Sequence, residues 1–190
     1  IMPFNGPQIV SEGKIIDGTA AYGGGNINIG HSSGGKSYFT MNGGEISGGT
    51  VTGKTSSNHG GNIRLWDNST FTINDGYIYG GVVDAATTHG VSANIMAGGN
   101  KPEVMTDLII NGGHIAGDIK LYAYGGRQAN VVLTGAPEIA YTITLADGET
   151  KVSAKTSGML ASNGLTMNID GLKPEASILL SSTLNAPFTV

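Results

Sequence analysis

The stretch Phe39-Thr40-Met41-Asn42-Gly43-Gly44-Glu45-Ile46-Ser47-Gly48-Gly49 decides the fold, because it comes back. It returns as Phe71-Thr72-Ile73-Asn74-Asp75-Gly76-Tyr77-Ile78-Tyr79-Gly80-Gly81, then as Leu108-Ile109-Ile110-Asn111-Gly112-Gly113-His114-Ile115-Ala116-Gly117-Asp118. A partial copy runs from Ile9 to Gly18. A second phrase keeps the same order relative to the first. Gly24-Gly25-Asn26-Ile27 returns as Gly60-Gly61-Asn62-Ile63, with weaker copies at Ala93-Asn94-Ile95 and Ala129-Asn130-Val131. Its Asn positions are 36, 32 and 36 residues apart. Two phrases held in one order at one period define a repeat architecture.

Each repeat holds short apolar alternations, such as Ile27-Asn28-Ile29 and Phe39-Thr40-Met41, separated by Gly, Asn or Asp. Alternation over so few residues is a strand signal. Glycine every few residues would cost a helix about 1 kcal/mol each. Three short strands per repeat joined by tight corners describe one coil of a single-stranded solenoid. The fold expected is all-β: a parallel β-helix of about five coils. Adjacent coils would lie about 4.8 Å apart, so equivalent residues stack. Ile46, Ile78 and Ile115 then form an inward ladder, as do Phe39, Phe71 and Leu108, and Ile27, Ile63, Ile95 and Val131. Asn26, Asn62, Asn94 and Asn130 are expected as a structural corner ladder, each amide donating to one neighbour and accepting from the other. Asn42, Asn74 and Asn111 form a second column with turn chemistry behind it.

Residues 1–140 carry the repeats. Residues 141–190 depart from them and read as final irregular coils passing into a C-terminal cap of the same domain. The start at Ile1 shows no export signal and no polar cap. It reads as a piece whose parent continues toward the N-terminus or abuts another domain there.

The chain has 190 residues, 32 of them glycine, and a net charge of −4. Charged residues are 13% of the total, about half the usual roughly 25%. With only Arg64 and Arg127 as arginines and no Lys/Arg cluster, no nucleic-acid surface is expected. No apolar run reaches the roughly 18–20 residues of a spanning helix, so this segment is not expected to insert in a membrane. There is no cysteine, so stability must come from burial and hydrogen bonding.

The phrase Phe-Thr-Met-Asn-Gly-Gly-Glu-Ile-Ser-Gly-Gly at 39–49, followed after a spacer by Gly-Gly-Asn-Ile at 60–63, resembles the repeats of adhesin-like surface proteins of gut-dwelling clostridia and related bacteria. Residues 9 to 118 carry the resemblance. The ending from Ile169 to Ile178 resembles the Gly-Leu…Ala-x-Ile phrase that often follows such repeats. The resemblance implies a right-handed parallel β-helix, display outside the cell at a bacterial surface or in secreted form, and no established activity for most members. The function expected is a structural or adhesive scaffold. Its partners would be host or cell-wall glycans, surface proteins, or neighbouring domains of a longer parent.

The alternative is a domain that binds or degrades polysaccharide. A catalytic centre on such a scaffold needs clustered carboxylates with a base, or several acids around calcium. Asp67, Asp75, Asp84, Asp107 and Asp118 share no column, so no catalytic site, metal or cofactor is assigned. Arg64 and Asp67 read as a surface ion pair. His59 and His89 precede glycines in the variable stretches 54–59 and 84–92 and read as solvated loop histidines; two His without a third ligand make a weak metal signal. The candidate ligand-binding residues are Tyr77 and Tyr79, which point outward if Ile78 points inward, with Glu45 one coil below and His114 one coil above. Outward Thr40 and Thr72 match in register, but Ile109 breaks that column, too short for an ice-binding face.

Overall fold

The computed structural model describes residues 6–30, 35–53, 59–84, 91–99, 105–117, 119–122, 128–133, 138–146, 153–155, 159–162, 165–168 and 177–182, with side chains described only up to residue 120. Within them there are 23 strands and no helix. Almost all pairing is parallel, and it joins each repeat to the next.

The first stack holds the longer strands. Gly6–Val10, Ser37–Met41, Ser69–Ile73, Met105–Ile110, Gln128–Leu133 and Leu165–Asn168 lie side by side in that order. The second stack is Lys14–Ile16, Glu45–Ser47, Tyr77–Tyr79 and His114–Ala116, continuing into Glu138–Ala146 and Ser177–Ser182. A third, narrow stack joins Thr19–Ala20, Thr50–Val51 and Val82–Val83; a fourth pairs His59–Gly60 with Val91–Ser92. The fifth runs Ile27–Ile29, Ile63–Leu65, Ile95–Gly98 and Ile119–Tyr122, and ends on the far half of Glu138–Ala146. Antiparallel pairing is confined to the last region, where Ser153–Lys155, Met159–Ser162 and Leu165–Asn168 zigzag beside the first stack.

Register turns the repeats into columns. Phe39 pairs with Phe71 and Phe71 with Leu108; Ile46 pairs with Ile78 and Ile78 with Ile115. These residues, with Met41, Ile73, Ile110, Ile63, Ile95 and Ile119, form one buried core between the first, second and fifth stacks. The Phe39 and Phe71 rings meet edge to face, centroids 5.3 Å apart, which suits the ring quadrupoles. Full burial of each such side chain is worth about 1.5–3 kcal/mol before entropy.

The corners explain the glycines. Gly44, Gly76 and Gly113, each just before a second-stack strand, have φ of 86°, 110° and 86°, a left-handed backbone that a Cβ disfavours. The Gly-Gly-Asn-Ile phrase has a different cause. A Cβ on Gly61 would lie 2.0 Å from the Ala93 carbonyl and 2.5 Å from the Val82 N–H nitrogen, both in the following repeat. Backbone therefore packs on backbone between the third stack and the turn into the fifth.

The fourth repeat is short, and this corrects one column. Fifteen residues separate Ser47 from Ile63, and fifteen separate Tyr79 from Ile95, but only Gly117 and Asp118 separate Ala116 from Ile119. The excursion that makes the third and fourth strands is missing. Ile119, not Val131, therefore follows Ile95; Val131 pairs with Leu108 instead. Asn130 pairs with Asp107 and Thr166 in the first stack, so it is not the fourth member of the Asn26 column. Its spacing of 36 from Asn94 is a coincidence of two different chain paths. Ala93 replaces the glycine of the phrase in the last repeat that has the excursion. Among the described residues the third stack ends at Val82–Val83, so no further strand of it follows there for a Cβ to strike.

Candidate functional site

Two kinds of polar construction stand out: an interior ladder and an outward face. In the interior, Asn26 Nδ2 donates to Asn62 Oδ1 at 2.8 Å, and Asn62 Nδ2 donates to Asn94 Oδ1 at 2.7 Å. The same amides tie two corners together. The Nδ2 groups of Asn26, Asn62 and Asn94 also donate to the carbonyls of Ser47, Tyr79 and Ala116 at 2.7, 2.8 and 2.7 Å. Their Oδ1 atoms accept the N–H groups of Gly18, Gly49 and Gly81 at 2.7, 2.8 and 3.2 Å. Asn62 thus makes two donated and two accepted bonds while wholly buried, the full capacity of a side-chain amide. This ladder is structural. Every atom that could meet a ligand is already engaged.

The outward face lies on the second stack. Lys14, Glu45, Tyr77 and His114 form one outward column by register; Ile16, Ser47, Tyr79 and Ala116 form the next. The four candidate residues are therefore brought together. Tyr77 and Tyr79 are 58% and 42% exposed. The Tyr77 and His114 rings tilt at 43° with centroids 5.7 Å apart. Tyr79 Oη donates to Glu45 Oε1 at 2.6 Å, reaching back diagonally to the preceding repeat. Ser47 Oγ donates to the same oxygen at 2.7 Å, and Lys14 Nζ lies 2.6 Å from Glu45 Oε2.

The Glu45 carboxylate therefore holds three partners. Hydrogen bonds from Lys14 first, then from Tyr79 and Ser47, pull its pKa down to about 2, because each favours the ionised form. The same contact raises the pKa of Lys14. A carboxylate so occupied and so acidic is a poor general base or acid near neutrality. Its chemistry here is positional: it fixes the Tyr79 hydroxyl. Lys14 and Ser47 are absent from the candidate set drawn from sequence. The signal for both was there, because extending the Glu45 column one repeat down reaches Lys14, and Ser47 stands beside Tyr79.

Other sequence readings change. His59 is no solvated loop residue; it is buried in the fourth stack, and Gly23 N–H donates to its Nδ1 at 3.2 Å. His89 lies outside the described residues, as do most of the variable stretches around both histidines. Arg64 and Asp67 are not a surface pair. Asp67 is buried, and the Arg64 guanidinium packs over the Trp66 ring at 4.2 Å, with burial holding its pKa down to about 10. Trp66 itself is buried against Met96. Among the described residues no three acids or histidines gather as metal ligands would.

No protein-family profile, curated protein sequence or solved structure matches the chain.

Proposed function

We propose that this chain is a segment of a right-handed parallel β-helix that serves as a stiff scaffold in an extracellular bacterial surface protein, with its second-stack face turned to adhesive use. The observation that carries the reading is the interior asparagine ladder, which ties three successive repeats to one another amide to amide, with the central Asn62 using its full bonding capacity. A carrier of binding surfaces needs rigidity, and buried, satisfied polar networks supply it. Right-handedness is what the resemblance to the adhesin-like repeats implies, and the general preference for right-handed crossovers between parallel strands supports it. The adhesin-like repeat phrases and the low charge support the surface location.

Labelling of intact cells that carry the parent protein tests the location. An antiserum to the chain is expected to stain unpermeabilised cells and to lose the stain after external proteinase K. Staining only after permeabilisation would contradict it.

A further inference from the structure

We propose that the Tyr77 side of the second-stack face is a binding site for a neutral hexopyranose glycan, seated on the Tyr77 ring with Tyr79 held beside it. This goes beyond the scaffold reading and is separable from it, since a purified chain either binds or does not, wherever the parent is located.

Three large apolar side chains stand exposed on this stack: Tyr77, Tyr79 and, two repeats below Tyr79, Ile16 at 48% exposure. A sugar ring offers C–H groups on its faces and hydroxyls at its rim. The C–H groups suit the negative face of an aromatic ring, and the hydroxyls suit polar groups around it. Here the rim is Lys14 and Glu45 on one side of Tyr77 and His114 on the other.

The charge on the face selects a neutral ligand. Lys14 and Glu45 are paired at 2.6 Å, which cancels these two charges, so the Lys14 ammonium is not left open to attract a uronate or a sulfate. The size of the face selects a small one. Each strand here is three residues long, roughly 10 Å of backbone. A stable protein interface buries about 1,200–2,000 Å² in total, more than so narrow a strip with three apolar side chains offers. Finally, the face is built before the ligand arrives. Tyr79 is tethered by Glu45, Glu45 is held from three sides, and the strands are fixed in register, so little side-chain freedom remains to be lost on binding. Glu45 and Tyr79 are positioning residues; Tyr77 is the contact.

The test is an amide NMR titration of the 190-residue chain with cellotetraose, mannotetraose and β-1,4-galactotetraose, and with tetragalacturonate as the acidic counterpart. At least one neutral tetrasaccharide is expected to give saturable shifts at Tyr77, Tyr79 and His114. Tyr77→Ala is expected to weaken that binding by about tenfold or more, close to 1.4 kcal/mol, while Tyr77→Phe, which keeps the ring, holds it within about threefold. Tyr38→Ala, at an exposed tyrosine on the first stack, is expected to change nothing. Should Tyr77→Ala fail to fold, His114→Ala carries the same expectation in smaller measure. The proposal is overturned if none of the neutral sugars shifts these amides at millimolar concentration, if only tetragalacturonate does, or if the folded Tyr77→Ala and His114→Ala proteins bind as tightly as wild type.

Discussion

Two asparagine ladders run along this molecule, and they differ in almost everything except composition. The interior one joins Asn26, Asn62 and Asn94; the outer one joins Asn42, Asn74 and Asn111, with Asn74 donating to Asn42 and Asn111 donating to Asn74, both at 2.7 Å. Both contain a step of 32 residues. The inner amides donate forward along the chain, because their oxygens must accept N–H groups of Gly18, Gly49 and Gly81 and their nitrogens must meet carbonyls. The outer amides donate backward, with Asn42 and Asn74 exposed and Asn111 half-buried, and both ladder bonds open to solvent. Water can replace every bond the outer ladder makes. The backbone groups that the inner ladder satisfies are part-buried or, at Gly49, buried, where water is a poorer substitute. The same side chain at the same spacing therefore holds the fold together in one place and decorates a corner in the other.

The contrast predicts a graded series of effects on urea unfolding of the purified chain. The largest belongs to the backbone contact beside the inner ladder. Gly61→Ala drives a methyl into the Ala93 carbonyl and the Val82 nitrogen, neither of which can move alone, and is expected to cost on the order of 4 kcal/mol or to abolish folding. A cost under about 1 kcal/mol would mean that the repeats do not pack backbone to backbone there.

Next comes Asn62→Ala. It leaves the buried Gly49 N–H without its partner and leaves the Tyr79 carbonyl only the longer bond from the Gly48 N–H at 3.3 Å, besides cutting the ladder on both sides; an unsatisfied buried group costs about 1–3 kcal/mol. A destabilisation of about 3 kcal/mol is expected. The matched change outside, Asn74→Ala, is expected to cost less than about 1 kcal/mol. Equal costs would erase the distinction between the ladders.

The smallest effect is electrostatic and separates the inner ladder from the outward face by pH. The folded-state pKa of Glu45 is lowered to about 2 from 4.5. Its contribution is therefore complete above the unfolded value and is lost as pH falls from about 4.5 toward 2. The stability difference between wild type and Glu45→Gln should shrink across that window. The Asn62→Ala difference, with no ionisable group in its network, should not change with it. A Glu45→Gln difference that stays constant down to pH 2 would show that the three-partner arrangement does not form in solution.

Much of this was legible in the sequence, for reasons that also mark where legibility stops. The columns through Phe39, Phe71 and Leu108, and through Ile46, Ile78 and Ile115, could be read because alternation fixes which side of a strand faces the core and the phrase fixes the register. The inner ladder could be read for Asn26, Asn62 and Asn94, since all three precede an Ile in the same phrase. It failed at Asn130 because a lost excursion leaves no local trace: Ile109 and Val132 are register partners only 23 positions apart, and a Gly-poor Ala-Asn-Val happened to imitate the expected phrase. The position before Ile119 is Asp118, which lies outside the described residues.

For the outward face, the sequence placed Tyr77, Tyr79, Glu45 and His114 together by register alone. It could not show that the carboxylate is fully occupied, because the diagonal reach of Tyr79 depends on side-chain torsions. Nor could composition reveal that His59, Trp66 and Asp67 are interior. Each sits where a polar or turn-flanked neighbourhood suggests surface, and only the stacking of several strands closes over them.

The chain has no cysteine, so an engineered pair gives a clean reading of which strands are neighbours. Thr40 and Thr72 are register partners in adjacent first-stack strands, about 4.8 Å apart and within the Cα separation a disulfide accepts. Thr40 and Ile109 are separated by the strand between them, at roughly twice that distance. Under mild oxidation of the folded protein, the Thr40→Cys/Thr72→Cys chain is expected to close an intramolecular disulfide, and the Thr40→Cys/Ile109→Cys chain is expected to stay reduced. The reverse outcome, or equal closure of both, would contradict the stacking on which everything else here depends.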